Sequence, residues 1–373
     1  MQERPLHILF AGGGTGGHLF PALAIAEEVR RIRPGTRISF AGTRDRIEAR
    51  IVPPLGYGFT PIWISGFRRR LSVQNLLFPL KVAVALVQSA LLLRRARPHT
   101  VVGTGGYVCG PVVYMASMMK IPTVIQEQNS YPGVTTRMLA SRATEVYLTF
   151  EETRKYLARH QGVTVSGNPT RGAVGKAGRA EGHAFFGTDP SKTTLLVFGG
   201  SLGAQSINEA MSVILPRLVE EGIQVVWQTG EGEYERVERQ CANVNHRGTV
   251  RLHRFIDRMD LAYAAADLVV CRAGATTLAE LTCAGVPSVL VPYPFAAADH
   301  QTANAQTMVT GGASVMIRDA ELAARLPEVL QHLLHDPGHR RDMGARARTL
   351  GKPDAATTIA RAVIHLAGTY ERH

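Results

Sequence analysis

Residues 271–280 join a buried apolar run to a helical pattern through a turn of small residues. Gly274 and Ala275 let a ligand come close to the backbone, and the first amides of a helix, together with its dipole, favour an anion. Glu280 follows about one turn inside the helix, where a carboxylate can accept hydrogen bonds from both hydroxyls of a ribose. This spacing is typical of a nucleotide diphosphate site, although an ordinary tight turn followed by a solvated glutamate has the same pattern.

Three loops of the first half carry polar or glycine-rich sequences directly after apolar runs, and they contain His18, Tyr107 and Glu127. The carboxyl ends of parallel strands lie along one edge of a sheet, so we expect these loops to converge there and to bind a ligand. The first loop does not favour a dinucleotide-binding dehydrogenase, because no acidic residue is cleanly placed after the second strand.

Strands and helices alternate along both halves of the chain, as they do in parallel α/β proteins. The run Thr194–Phe198, its glycine loop and the following helix repeat the pattern that opens the chain. A chain of 373 residues is long enough for two cores. We therefore predict two doubly wound, Rossmann-like domains that face one another across a cleft.

The domain boundaries follow from composition. Few apolar positions occur between residues 161 and 191, which indicates a linker. We expect an N-terminal domain at residues 1–168, a C-terminal domain at 169–345 and a helical tail at 346–373 that packs back on the first domain.

The formal net charge of +12 calls for an anionic partner: a nucleic acid, an acidic membrane face or a phosphorylated substrate. Nucleic acid is not favoured, because the sequence lacks a reading helix, an aromatic stacking sheet and clustered basic tracts in its second half. The four cysteines form no CxxC pair, which argues against a disulfide framework or a zinc site and fits a reducing cytoplasm. The first seven residues do not resemble a signal peptide.

Residues 67–97 combine apolar and basic side chains. Proline, lysine, glutamine and serine interrupt the apolar part, so a membrane-spanning helix is not predicted. A narrow polar stripe recurs every seven residues, at Gln74, Lys81, Gln88 and Arg95. The stretch suits docking on an anionic bilayer, and a core helix with charged ends is the alternative. The predicted membrane contacts are Arg68, Arg69, Arg70, Leu76, Leu77, Phe78, Leu80, Arg94 and Arg95.

A set of short motifs occurs in a characteristic order along nearly the whole chain. They are GGGTGGH at 12–18, GGY at 105–107, EQN at 127–129, GNP at 167–169 with Arg171, GGSLGA at 199–204, ATTLAE at 275–280, and Asp299 with Gln301. Each glycine loop alone is a weak signal, whereas the ordered set is highly specific. The set resembles the MurG family, the peptidoglycan N-acetylglucosaminyl transferases that convert lipid I to lipid II.

The resemblance implies a GT-B glycosyltransferase that moves N-acetylglucosamine (GlcNAc) from UDP-GlcNAc to the 4-hydroxyl of the muramyl sugar of lipid I, with inversion. The first domain would hold lipid I and the membrane, and the second would hold UDP-GlcNAc. No cofactor or metal is implied. The resemblance further implies a peripheral protein on the cytoplasmic face of the bacterial inner membrane. Its roles would lie in cell-wall biogenesis, cell shape and cell division, with other cell-wall synthesis proteins as partners.

The motif positions also assign residues. The resemblance implies that His18 and Glu127 are the catalytic candidates; Gln126 stands where the family often has a histidine, a third candidate base. The acceptor would meet Gly105, Gly106 and Tyr107. For the donor, Arg171 and Ser201 would contact the pyrophosphate, Ile256 the uracil through its backbone, Glu280 the ribose, and Gln301 with Asn129 the sugar. Further donor contacts would be Thr15, Gly16, Gly17, Arg272, Ala275, Thr276, Thr277, Leu278 and Ala279. A soluble UDP-sugar enzyme of the same architecture, such as a UDP-GlcNAc 2-epimerase, is the alternative interpretation.

Overall fold

The computed structural model describes residues 5–66, 77–158, 161–200, 202–242, 244, 248–296 and 299–370. The contacts divide the chain into two compact units. Unit 1 comprises Met1–Arg171 together with Pro353–His373, and unit 2 comprises Gly172–Lys352.

Unit 1 is built on a seven-stranded parallel sheet. Its strands are β1 His7–Gly12, β2 Arg37–Gly42, β3 Gly58–Pro61, β4 Thr100–Gly105, β5 Thr123–Glu127, β6 Glu145–Leu148 and β7 Val163–Val165. The order across the sheet is β3-β2-β1-β4-β5-β6-β7. Ile8, Leu9 and Phe10 are all completely buried, as expected for a strand whose two faces are both covered.

Unit 2 contains a six-stranded parallel sheet with the same kind of winding. Its strands are β8 Thr194–Phe198, β9 Gln224–Gln228, β10 Val250–His253, β11 Leu268–Cys271, β12 Ser288–Leu290 and β13 Ser314–Met316. The order is β10-β9-β8-β11-β12-β13. In both units the strand order reverses beside the first strand, and ligands of doubly wound sheets bind at the carboxyl ends there.

The helices cover the sheets. Up to residue 241 of the chain, the helices are α1 Gly16–Ile32, α2 Ile47–Ile51, α3 Phe78–Ala96, α4 Cys109–Met118, α5 Val134–Leu139, α6 Arg179–Phe186, α7 Gln205–Glu220 and α8 Tyr234–Cys241. The later ones are α9 Met259–Ala265, α10 Ala275–Ala284, α11 His300–Thr310, α12 Leu322–His335, α13 Pro337–Leu350 and α14 Ala355–Thr369. Short 3-10 helices occur at Pro53–Leu55, Glu151–Tyr156 and Asp319–Glu321. The last helix, α14, packs on α1 within unit 1, where Ile359 and Val363 join the same buried cluster as Leu23.

The predicted pair of doubly wound parallel sheets is confirmed, and so is the repeat of strand, glycine loop and helix at the start of each unit. The linker predicted at residues 161–191 is wrong for two stretches, because β7 extends the sheet of unit 1 and α6 packs on α9 of unit 2. At Gly182 an added Cβ would come within 2.6 Å of the carbonyl oxygen of Leu261. The absence of a side chain at Gly182 thus lets the backbones of α6 and α9 lie close together.

Candidate active site

The three loops predicted to converge in unit 1 do so, because β1, β4 and β5 are neighbours in the sheet. The hydroxyl of Thr104, at the end of β4, donates to the carbonyl oxygen of His18 at 2.8 Å. Nδ1 of His18 lies 3.0 Å from Oε1 of Gln128, which directly follows β5. The residue at the end of β4 thus holds the backbone of His18, and the residue after β5 contacts its half-buried ring.

Two glycines at the end of β4 allow this loop to lie close to His18 and to the first glycine-rich loop. Gly105 has a φ of +102°, and a Cβ there would lie 2.6 Å from Nδ1 of His18. Gly106 has a φ of +81°, and its Cβ would lie 2.3 Å from the carbonyl oxygen of Gly13. Side chains at either position would be strained and would also push the two loops apart. The exposed ring of Tyr107 follows them and lies against Gly66.

The loop before α1 is anchored by hydrogen bonds to Glu48, a completely buried carboxylate on α2. Its Oε2 accepts a hydrogen bond from the backbone N–H of Gly14 at 2.9 Å. Its Oε1 accepts from the N–H of Thr43 at 2.9 Å and from the Thr43 hydroxyl at 2.6 Å. Glu48 thus fixes the approach to the start of α1, where Thr15 is the N-cap residue and Gly16 and Gly17 form the first turn.

Glu127, the other candidate base, is buried and already accepts hydrogen bonds on both oxygens. Oε1 accepts from the backbone N–H of Asn129 at 3.0 Å and from its side-chain amide at 3.3 Å. Oε2 accepts from the N–H of Gly133 at 3.0 Å and from the hydroxyl of Thr136 at 2.6 Å. The carboxylate organises the loop between β5 and α5, and the side chain of Asn129 is turned back onto it.

In unit 2, the stretch predicted to bind an anion is a strand, a short turn and a helix. β11 ends at Cys271, and α10 begins at Ala275 after the extended N-cap residue Gly274. The first α-helical hydrogen bond runs from the N–H of Leu278 to the carbonyl of Gly274. The preceding amides, those of Ala275, Thr276 and Thr277, therefore belong to the helix start that favours anions.

Glu280 lies on the second turn of α10, and a buried tyrosine from α9 holds its carboxylate. The hydroxyl of Tyr263 donates to Oε2 of Glu280 at 2.9 Å. Burial, reinforced by the charge of Glu280, raises the pKa of Tyr263 well above its ordinary value. The phenol therefore stays a donor and keeps the carboxylate in one orientation. Leu278, buried on the same helix, and Ala279 complete the predicted set.

Gln228, at the end of β9, connects two of the predicted donor contacts. Its side-chain amide donates to the carbonyl of Gly200 at 2.9 Å, and its Oε1 accepts from the N–H of Ile256 at 2.8 Å. The N–H of Ile256 is thus engaged by a side chain, so a base would meet the carbonyl of Ile256 or displace Gln228. Ser201, in the glycine loop beside Gly200, lies outside the described residues.

The predicted donor cations differ in their surroundings. The Arg272 side chain is only 12% exposed, and its guanidinium pairs with Asp319. It also donates to the hydroxyl of Ser206 and to the carbonyl oxygens of Val291 and Pro292. Its charge is therefore compensated within unit 2.

Arg171 of unit 1, by contrast, is exposed. Its guanidinium carbon lies 4.7 Å from the centre of the Phe20 ring. Arg171 is therefore the more accessible of the two predicted donor cations.

Gln301, in unit 2, follows shortly after the left-handed residue Asp299. Its Oε1 accepts a hydrogen bond from the N–H of Tyr293 at 2.9 Å.

Helix α3 has an exposed apolar face. Leu80, Val87 and Leu91 are 53%, 60% and 44% exposed and lie on one side of the helix, and Leu77 precedes them on the same side. The polar stripe lies elsewhere: Lys81 donates to the hydroxyl of Ser65 at 2.9 Å, and Gln88 accepts from the N–H of Trp63 at 2.8 Å. Phe78 is half-buried and Arg94 and Arg95 are exposed, while Arg68, Arg69, Arg70 and Leu76 lie outside the described residues. None of the helices in the described ranges has the length and apolar character needed to cross a bilayer.

Comparison with protein families assigns both halves of the chain. Residues 8–148 match the glycosyltransferase family 28 N-terminal domain, and residues 194–359 match the glycosyltransferase family 28 C-terminal domain. The chain belongs to glycosyltransferase family 28. The two matched regions contain the two strand-order reversals and the loops described above.

Known proteins and solved structures are similar to this chain over nearly its full length. The UDP-N-acetylglucosamine--N-acetylmuramyl-(pentapeptide) pyrophosphoryl-undecaprenol N-acetylglucosamine transferase of Salinibacter ruber is 47% identical, with 99% of each chain covered. The crystal structure of Acinetobacter baumannii MurG has a TM-score of 0.76 at 28% identity and covers 97% of this chain and 100% of that chain. A UDP-N-acetylglucosamine 2-epimerase structure has a TM-score of 0.67 at 14% identity, covering 99% of both chains, which shows a shared fold alone.

Several residues of this family 28 site carry no sequence signal of their own. Glu48, Tyr263 and Gln228 come from α2, α9 and the end of β9, and each contacts a predicted site residue or its loop. Gln128 stands inside a recognised motif, yet only the structure shows its contact with His18. Within the described part of the chain, no three His, Cys, Asp or Glu side chains are grouped so as to hold a metal ion.

Proposed function

We propose that the chain transfers GlcNAc from UDP-GlcNAc to the 4-hydroxyl of the muramyl sugar of lipid I, with inversion, in peptidoglycan synthesis. The observation that carries the proposal is the full-length similarity at 47% identity to a transferase named for this reaction, combined with family 28 membership. Unit 2 supplies what a UDP-sugar needs: a helix start for phosphate and, on α10, a carboxylate for ribose.

Within unit 2, Glu280 binds the ribose and the start of α10 takes the pyrophosphate. Ile256 contacts the uracil, and Gln301 contacts the sugar. Arg272 acts indirectly, because its contacts with Asp319 and two carbonyl groups hold the segment before Gln301 in place. Arg171 and Ser201 are assigned to the pyrophosphate, and Asn129 to the sugar.

Within unit 1, the acceptor lies against Gly105, Gly106 and Tyr107, and His18 is the general base. Inversion in a single displacement needs a base that takes the proton of the attacking hydroxyl. Glu127 is a poorer candidate, because both of its oxygens already accept hydrogen bonds from its own loop.

The replacement Glu127→Gln tests this assignment. An amide nitrogen in place of one oxygen would face N–H or O–H donors, so we expect the thermal midpoint to fall, while kcat of the folded enzyme decreases by less than about tenfold. The measurement pairs thermal unfolding with steady-state turnover. Loss of kcat by about 100-fold or more at an unchanged midpoint would instead make Glu127 the base.

The exposed apolar face of α3 docks unit 1 on an anionic bilayer at the cytoplasmic surface of the membrane, where lipid I is embedded. Leu80, Val87 and Leu91 provide the apolar contact, and Arg94 and Arg95 provide charge at the end of the helix. Each cation near such a surface contributes on the order of 1 kcal/mol.

We expect the triple variant Leu80→Gln, Val87→Gln and Leu91→Gln to remain folded and to leave anionic liposomes in sedimentation. It should lose turnover on bilayer-embedded lipid I and keep turnover on a short-chain soluble acceptor. A matched control replaces two exposed apolar residues of unit 2, Phe185→Gln and Val213→Gln. This control should change neither liposome binding nor turnover on either acceptor. Equal loss on both acceptors, or undiminished liposome binding, would contradict the docking surface.

Incubation of the enzyme with UDP-GlcNAc, with and without a short-chain lipid I analogue, separates transfer from epimerisation. We expect UDP release only when the acceptor is present. Conversion of the donor sugar in the absence of acceptor would support the epimerase alternative and contradict the proposal.

A further inference from the structure

A chain of neutral amides lies behind His18. Oε1 of Gln128 is 3.0 Å from Nδ1 of His18, and the other end of the Gln128 amide lies 2.7 Å from the carbonyl oxygen of Thr104 and 3.1 Å from that of Gln126. That end also contacts Oε1 of Gln126. Gln128 and Gln126 are both almost completely buried, with exposures of 3% and 1%.

The surroundings of Gln128 determine which end of its amide faces His18. Backbone carbonyl oxygens only accept hydrogen bonds, so the end that meets Thr104 and Gln126 must be the NH₂ group. The oxygen must then face the imidazole. Because an amide oxygen cannot donate, Nδ1 of His18 carries the hydrogen, and a neutral imidazole carries only one. Nε2 is left with its lone pair.

The next link in the chain is consistent with this orientation. The side-chain nitrogen of Gln126 donates to Oδ1 of Asn168 at 3.2 Å and to the hydroxyl of Thr149 at 3.4 Å. The Thr149 hydroxyl donates its own proton to the carbonyl of Glu127 at 2.9 Å, so it accepts from Gln126. The oxygen of Gln126 therefore faces Gln128. Backbone carbonyl groups thus orient both glutamines, directly for Gln128 and through the Thr149 hydroxyl for Gln126.

We propose that Gln128 is the positioning residue of the base: it holds neutral His18 as the Nδ1–H tautomer, so that Nε2 is free to take the proton of the acceptor hydroxyl. This inference rests on the proposed function, since it concerns the base of that reaction. Free histidine in water favours the opposite tautomer, with hydrogen on Nε2. An amide partner selects the tautomer without the negative charge that a carboxylate would bring beside the ring.

The tautomer is measurable in the protein without substrate. With ¹⁵N-labelled histidine, two-bond ¹H–¹⁵N correlation spectra of the full chain distinguish protonated from unprotonated ring nitrogens, and the signals lost in His18→Asn identify His18. We expect a protonated Nδ1 and an unprotonated Nε2 at a pH where the ring is neutral. A neutral His18 with its hydrogen on Nε2 would overturn the proposal, whether or not the enzyme transfers sugar.

The variant Gln128→Met removes the amide oxygen that accepts the hydrogen bond from Nδ1 of His18, and it keeps an unbranched side chain of similar size. We expect the His18 signals to move toward the Nε2–H form and kcat to fall about tenfold or more, with the donor KM unchanged. Retention of the Nδ1–H signature or of wild-type kcat would overturn the proposal. If the variant does not fold, the wild-type spectrum alone decides.

Gln224→Met provides the matched control. Gln224 is a buried glutamine of unit 2 whose oxygen accepts from the N–H of Asp189 at 2.7 Å and whose nitrogen donates to the carbonyl of Asp189 at 2.8 Å. Its loss should lower stability, as the loss of buried hydrogen bonds does. The His18 spectrum and kcat should stay close to wild type, whereas equal effects in both variants would show that Gln128 acts on stability alone and would overturn the proposal.

Discussion

Replacement of His18 with alanine is expected to lower kcat by about 100- to 10,000-fold, the range typical for loss of a general base. The donor KM should change little, because Gln128 and Thr104 hold the ring and the backbone of His18 within unit 1, whereas the proposed nucleotide contacts of α10 lie in unit 2. Steady-state kinetics with a short-chain lipid I analogue measures both parameters without dependence on a bilayer.

The control for this experiment is His365→Ala, which removes an exposed histidine from α14 of the same unit. It should leave kcat and KM at wild-type values. A His18→Ala enzyme with kcat within about threefold of wild type would exclude His18 as the base, since even a weak general base contributes far more than this. A large rise in donor KM at constant kcat would place His18 among the donor contacts.

Replacement of Glu280 with alanine is expected to weaken UDP binding by about ten- to a hundredfold, because a hydrogen bond to a charged group contributes roughly 1.5 to 3 kcal/mol. The orientation of the carboxylate by the buried hydroxyl of Tyr263 strengthens this expectation, since a fixed acceptor loses little freedom when a ribose binds. Isothermal titration calorimetry with UDP measures the effect directly.

The matched control is Glu328→Ala, which removes an exposed carboxylate from α12 of unit 2. Its affinity for UDP should be unchanged. A sharp fall in the thermal midpoint of Glu280→Ala with unchanged UDP affinity would show that the carboxylate stabilises the fold, and the ribose assignment would then fail.

Local patterns were sufficient to predict the elements that carry the site. The turn between β11 and α10 was predictable because a buried run, small residues and a helical period follow one another within the span of residues 267–282. The convergence of the loops at His18, Tyr107 and Glu127 followed from the parallel sheet, in which the carboxyl ends of adjacent strands share an edge.

The contacts that orient the site were not predictable from sequence spacing. Glu48 bonds to Gly14 across 34 positions of sequence, and Gln128 bonds to His18 across 110. Neither pair has a helical or strand period that would bring it together. Burial of a carboxylate such as Glu48 is uncommon and depends on N–H and O–H donors that only the folded loops assemble.

Arg272 illustrates the opposite difficulty. An arginine directly after a strand and before a helix start resembles a phosphate ligand in sequence. In the structure its guanidinium is occupied by Asp319, Ser206 and two carbonyl groups from other parts of unit 2. Charge compensation of this kind depends on tertiary contacts, so a sequence pattern can locate a cation but cannot reveal its partner.

The most direct test of the proposed transfer reaction is identification of the product formed from UDP-GlcNAc and a short-chain lipid I analogue. Mass spectrometry should show the acceptor gaining one N-acetylhexosamine, and NMR should place it on the 4-hydroxyl of the muramyl sugar with the anomeric configuration inverted relative to the donor. An acceptor that remains unmodified in the presence of folded enzyme, or a product with retained configuration, would contradict transfer by a single displacement.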